Sequence, residues 1–257
     1  MIGEQFMELM GGVVYFPDSQ SNNYSGSEFI KQIYSVDYTT RNNLTIEEFK
    51  KGNFPNFYKN FKEIVITDGD DSLTYFVAPN YICIGNDDDY VVLPTTATVA
   101  QTLCDITGCV LPTTKMVNDI YNQSECTISP APIPPDNQMT STPRFKQHSD
   151  KLVKLIGSNK NKLCAGHKKD YVLTNALSPN NPKKKIAIYG WFLNNKPIQG
   201  CNSKDHDLNY IDYSQSARLV SKKCILNGSD FPITDIMQDT KYCHLLNDDG
   251  ILKFLKY

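Results

Sequence analysis

The chain has 257 residues, of which 40% are apolar and 21% charged, and a formal net charge of −2. That length supports one large domain or two small ones, with a real core. The near-balanced charge gives no reason to expect nucleic acid or an anionic membrane surface as the main partner. No run of eighteen apolar residues occurs, so no membrane span is expected.

The stretch Met1–Phe6 lacks a basic n-region and a continuous apolar h-region, so the chain as given shows no evident export signal. The default compartment is the cytoplasm, with a removed presequence left open. Lysine outnumbers arginine 23 to 3 and asparagine is abundant, the mark of an AT-rich coding genome. Eight cysteines are spread along the chain, several inside apolar runs such as Tyr81–Ile84. Buried free thiols are the expectation, and disulfides stay open. Sequons at Asn23, Asn43, Asn122 and Asn227 are about as many as chance supplies.

Residues 1–25 end in a polar, turn-rich run and read as a loosely ordered N-terminal arm. Short helices are expected over Glu28–Ser35 and Thr45–Phe61. The second is marked by the capping-box pair Thr45 and Glu48 and broken by Gly52 and Pro55. Strands Ile64–Thr67 and Leu73–Val77 flank the turn Asp68–Asp71. Strands Tyr81–Ile84 and Tyr90–Leu93 follow, then helices over 96–107 and 113–123. Four prolines between Pro130 and Pro135 mark an extended polyproline segment, 129–136. A helix is expected over 143–157, then strands over 163–166, 170–174, 185–192, 209–213 and 217–226, and helices over 232–238 and 240–247. Helices and strands come in groups, which predicts an α+β fold with a largely antiparallel sheet and peripheral helices.

Chemistry-bearing residues concentrate in the second half. His167 lies at a strand end beside Gly166, followed by Lys168, Lys169 and Asp170, a setting that suits a general base or ligand. A polar hairpin turn would carry the same residues. His206 stands between Asp205 and Asp207, carboxylates able to orient it. Asp212 and Ser214 share one face of an extended segment, and Arg218 brings a planar fork for a carboxylate or phosphate. Cys164, His167, Cys201 and His206 are the right residue types for zinc, without the usual knuckle spacing. Asp87–Asp89 is a carboxylate run that a solvated loop would equally explain.

Several of these motifs together resemble an uncharacterised, mostly bacterial protein family. They are Gly85–Tyr90, Gly108–Thr113, Pro130–Pro135, Gly166–Asp170, Ile188–Trp191, Pro197–Gln199, and Asp212–Ser214 with Arg218–Val220. The resemblance spans about residues 25–250 and implies one structural unit, in which the proline segment is a strap; it implies no activity. In that family the last motif runs D-Y-S-H-G-x-R-L-V, which is similar in degenerate form to the S-H-G-C-x-R signature of the L,D-transpeptidases of peptidoglycan. Here Gln215 stands at the histidine position and Ser216 at the glycine, with no cysteine at the nucleophile's place.

The expected architecture is thus an arm over 1–25 and one α+β domain over 26–257, strapped at 129–136. The candidate catalytic residues are His167, Asp170, His206, Asp212 and Arg218, with Asp205 as a further orienting carboxylate. Lys169, Tyr189, Trp191 and Ser214 are the candidate substrate-binding residues. The expected function is a hydrolase or transferase acting on a polar, cell-wall-like small molecule or polymer. The alternative is a non-catalytic binding or assembly protein that keeps the fold without the chemistry. No cofactor is required by the sequence, and the oligomeric state is left open.

Overall fold

The computed structural model describes residues 6–9, 12–177, 185–202 and 206–257. The chain opens with a hairpin of β1 (Phe6–Leu9) and β2 (Gly12–Tyr15). Val14 and Phe16 are buried in the main core, so this part of the expected arm is docked onto the domain. Helix α1 (Gly26–Gln32) starts at a capping box: the Ser25 side chain accepts from Glu28 N–H, and the Glu28 carboxylate accepts from Ser25 N–H at 2.8 Å. Helix α2 (Tyr38–Lys50) starts earlier than Thr45. Asp37 caps it, taking the Thr40 N–H at 3.0 Å, and Thr45 lies mid-helix with its hydroxyl donated to Arg41 O. Nothing in the first turn completes a box with Asp37, so the Thr45–Glu48 pair was the more visible and the misleading signal.

Strands β3 (Lys62–Asp68) and β4 (Asp71–Val77) form the expected hairpin, with Gly69 at φ +57 in its turn. Between β5 (Cys83–Gly85) and β6 (Tyr90–Val92), the aspartates act as caps. Asp87 accepts from Phe57 N–H, and Asp89 accepts from the N–H and hydroxyl of Ser27 at the start of α1. Next come α3 (Ala97–Thr107), β7 (Cys109–Val110), α4 (Thr114–Asn122), β8 (Cys126–Thr127) and α5 (Thr142–Ile156). The last part holds β9 (Cys164–Ala165), β10 (Lys169–Tyr171), β11 (Ile188–Leu193), β12 (Lys196–Asn202), β13 (Gln215–Ser216), β14 (Val220–Leu226), β15 (Ser229–Pro232) and α6 (Ile233–Gln238).

One sheet runs β15-β14-β4-β3, with β7 also pairing on β14, and every pairing in it is antiparallel. The other runs β12-β11-β10-β13 and is antiparallel except for the parallel β10–β13 contact. The fold is α+β with mostly antiparallel pairing. Besides β1–β2, two hairpins were not anticipated. They turn on Asn194-Asn195 (φ +52 and +60) and Asn227-Gly228 (φ +50 and +80), pairs that tolerate the left-handed region a two-residue turn needs. Residues 209–213 carry no strand, and the helix expected over 240–247 is a 3₁₀ turn at Cys243–Leu245.

The proline segment is tied down. Pro130 O accepts from His148 Nε2 at 2.9 Å, and both Ile133 N and Ile133 O bond the Tyr213 hydroxyl, at 2.9 and 3.1 Å. Under it, Ile133, Phe145, Ile211 and Tyr213 form a small second core. Fully burying Phe145 there contributes about 2 kcal/mol. Among the described residues no helix is long and apolar enough to cross a membrane.

Candidate functional site

The site is built around the turn between β9 and β10. Gly166 makes this corner at φ +101, and a Cβ there would lie 2.9 Å from Ile128 O and 3.0 Å from the Tyr121 ring. Only glycine combines that φ with that clearance. Strand β11 then runs past β10 and bonds the corner itself: Trp191 N–H donates to Lys168 O and Phe192 N–H to Gly166 O. Gly190 and Trp191 reach this position through successive positive φ values, +107 and +58, beside a register shift against β12. A bulky residue at positive φ is uncommon, and here it aims the indole at Lys169, whose Nζ lies 4.6 Å from the ring centroid.

His167, Lys168, Asp170 and Arg218 are all essentially without solvent exposure. His167 Nε2 bonds Asn80 Oδ1 at 3.0 Å, and the same oxygen accepts from Tyr81 N–H at 2.8 Å. That second bond sets the orientation of the Asn80 amide, so His167 Nε2 is the donor and its bare Nδ1 has no partner. Burial, with Arg218 and Lys168 nearby, holds His167 well below the usual histidine range. It is a neutral imidazole, with the Ala165 carbonyl as a neighbouring acceptor that opposes the downward shift.

Lys168 Nζ donates to Tyr213 O at 2.6 Å and to His148 Nδ1 at 3.2 Å. Because His148 Nε2 donates to Pro130 O, its Nδ1 is free to accept. Burial pulls Lys168 down to about 7 and, with the Lys168 charge, His148 to about 3. Asp170 Oδ2 accepts from the Tyr81 hydroxyl at 2.8 Å, while Oδ1 has no partner. Burial raises Asp170 to about 7, against the opposing pull of Arg218. Arg218 spends its fork on two backbone carbonyls, Ala78 O and Cys164 O, both at 2.7 Å, and its guanidinium lies 4.5 Å from the Tyr81 ring centroid.

Asp170, Arg218, Tyr81 and Gly166 line a crevice whose apolar side is Val117, Ile120, Tyr121 and Phe192. Tyr121 and Phe192 stack with centroids 3.9 Å apart. The crevice is partly open but too narrow to admit the centre of a water molecule.

The remaining candidates are placed around this cluster. Asp212 Oδ1 accepts from Ser214 N–H at 2.7 Å and from the Ser214 hydroxyl at 2.5 Å. That local loop is why residues 209–213 are not a strand. Ser214 is thereby occupied, and Asp212 is also the carboxylate that counters the charges of Lys168 and Lys169. Gln215 is buried with Oε1 bonded to the Tyr171 hydroxyl. Tyr189 is half-buried and donates to Asn118 Oδ1. His206 lies outside the crevice lining and stacks on Tyr210 at 3.8 Å. Asp205 lies outside the described residues. Cys164 holds Arg218 through its carbonyl, and Cys201 is exposed on β12. All eight cysteines are free thiols, and among the described residues no group of three or more His, Cys, Asp or Glu side chains is arranged to hold a metal ion.

The structure therefore brings His167, Asp170 and Arg218 together, sets Asp212, Ser214 and Lys169 beside them, and leaves His206 apart. Four members of the cluster were not read from the sequence: Asn80, Tyr81, Lys168 as an interior cation, and His148. Only His148 left a signal. It falls on the buried face of α5 with Phe145, Ser149, Leu152 and Ile156, a polar residue on an apolar stripe. No protein-family model matches the chain, no curated protein matches it in sequence, and no solved structure matches it in fold.

Proposed function

We propose that this chain is a non-catalytic binding protein whose buried His-Lys-Asp-Arg cluster is a structural polar core. The observation that carries this reading is the inaccessibility of the acid–base groups: His167 and Lys168 are fully buried, and Asp170 and Arg218 line a crevice, walled by Tyr121 and Phe192, too narrow for the centre of a water molecule. A general base needs reach to a substrate proton, and His167 faces Asn80 and Tyr81 instead. Gln215, at the position of the histidine in the resembled motif, bonds Tyr171 and fills an interior role that favours the same reading.

The competing hydrolase or transferase reading has one observation in its favour. Asp170 Oδ1 is unpartnered at the crevice, and a carboxyl near neutrality is suited to general acid–base work. It requires Tyr121 and Phe192 to swing aside. A hydrolysis screen over esters, amides, phosphomonoesters and glycosides separates the two readings, run on wild type, His167→Ala and Asp170→Asn. Turnover at the buffer rate in all three proteins supports a chain without catalysis, whereas turnover above it and equal in all three overturns that reading by placing catalysis away from His167 and Asp170. Turnover that falls at least about a hundredfold in Asp170→Asn with an unchanged melting temperature overturns it.

A further inference from the structure

Away from the sealed cluster, the chain has an open groove of about 610 Å³ between the start of α2, the start of α5 and residues 209–211. Tyr34, Tyr38 and Tyr210 contribute aromatic walls, and Gln138, Thr140 and Asn209 contribute polar ones. Arg41 lines it. The three arginines of the chain are used very differently. Arg144 is paired with Asp136, and Arg218 is satisfied by two carbonyls. Arg41 is 8% exposed and makes one protein hydrogen bond, from Nη1 to Thr140 O at 3.1 Å. Its Nε is buried without a partner, and among the described residues no carboxylate pairs with it. Nη2 has no acceptor and is not among the fully buried unpartnered atoms, so it is the nitrogen left open to the groove.

An arginine this desolvated stays charged, and an unpaired interior cation is costly unless an anion completes it. The Phe145 ring, 4.8 Å from the guanidinium, and the Tyr38 ring at 6.0 Å offset part of that cost but bring no negative charge. The same groove receives the N-terminal end of α5, a 15-residue helix, through Ser141, Thr142 and Pro143. Its dipole adds to the positive potential facing the groove. Tyrosine faces beside amide and hydroxyl groups suit the flat, hydroxyl-bearing body of a sugar ring.

We infer that this groove binds a small anionic carbohydrate, a sugar phosphate or sugar acid, with its anion on Arg41 and the start of α5 and its ring against Tyr38 and Tyr210. The inference deepens the binding reading by naming the ligand class. It also links the groove to the sequence candidates, because Tyr210 stacks on His206 and bonds Asp212 Oδ2 at 3.4 Å.

The test is an amide NMR titration of the full chain with glucose 6-phosphate, glucuronate, inorganic phosphate and neutral glucose. The first two are expected to give saturable shifts at Tyr38, Thr142 and Asn209 with Kd of about 1 mM or tighter, and glucose none. Arg41→Gln is expected to weaken them at least about tenfold. Asn209→Ala, on an exposed wall, provides a second variant that keeps the fold, with weaker sugar binding and unchanged response to phosphate. Arg41→Met is expected to melt higher than wild type in the absence of ligand while losing binding, because it removes an uncompensated charge. No saturable shift with any anion up to about 10 mM, or equal affinity in Arg41→Gln, overturns the inference. So does a response to phosphate that the sugar body does not strengthen, which marks an adventitious ion only. Failure here leaves the sealed cluster untouched, and turnover lost in Asp170→Asn would overturn the non-catalytic reading while leaving Arg41-dependent binding intact.

Discussion

Asp170 offers the sharpest test of the sealed crevice. In the unfolded chain its carboxyl ionises near the ordinary value of 3.8, and in the folded protein burial keeps its proton on until about 7. Between those values the folded state holds one proton more than the unfolded state. Stability from this group therefore falls as pH rises through the window, then levels off above about 7. The gap corresponds to about 4 kcal/mol, of which about 3 kcal/mol lies above pH 4.5. Asp170→Asn keeps an oxygen for the Tyr81 hydroxyl but cannot ionise. Its stability relative to wild type should climb by about 3 kcal/mol between about pH 4.5 and about pH 8. The difference between the two proteins is what matters. His148 and His167, held neutral in the fold, tilt the whole curve the opposite way in acid, and the subtraction removes them. Urea denaturation followed by Trp191 fluorescence supplies the numbers, since Trp191 is the only tryptophan and its backbone N–H bonds Lys168 O. A difference that stays flat with pH would show that Asp170 ionises like an exposed carboxylate, and the sealed crevice would be refuted.

Gly166→Ala should cost about 3 kcal/mol, from the left-handed backbone and the contact with Ile128 O together, and lower the melting temperature by roughly 6–12 °C. A loss under about 2 °C would mean that the corner relaxes freely. Histidine ring NMR should find His148 and His167 neutral at about pH 5, both protonated on Nε2. Titration of either near 6.5 would contradict the hydrogen-bond assignment. With a disulfide reagent on native protein, the exposed Cys201 should react first and the half-buried Cys126 more slowly, while Cys83, Cys104 and Cys109 wait for unfolding. Fast reaction of any of those three would show that the core opens.

Local signals carried part of the fold. Asp68–Asp71 announced its hairpin because a two-residue turn with glycine needs no help from elsewhere. Gly108, at φ +66, ended α3 for an equally local reason. Asn194-Asn195 and Asn227-Gly228 carry comparable turn chemistry just beyond the strands expected over 185–192 and 217–226, where the polar residues that follow hide the return strands. The segment around Asp212 looked extended because its alternation is strand-like. The Asp212–Ser214 bonds redirect it, a competition between side chain and ladder that a hydrophobicity pattern does not register.

By itself the sequence determined the α+β class, the extended proline segment and the region where polar groups enter apolar runs, because periodicity, proline and glycine act over a few residues. Only the tertiary structure decided which of those groups meet and how deeply they are buried. Asn80 and His167, Tyr81 and Asp170, or Lys168 and His148 meet across 20 to 89 positions of chain, and desolvation depends on everything packed around them. Arg41 makes the same point from the other side. That no carboxylate among the described residues pairs with it is invisible in the sequence, and shows only once α2, α5 and residues 209–211 enclose it.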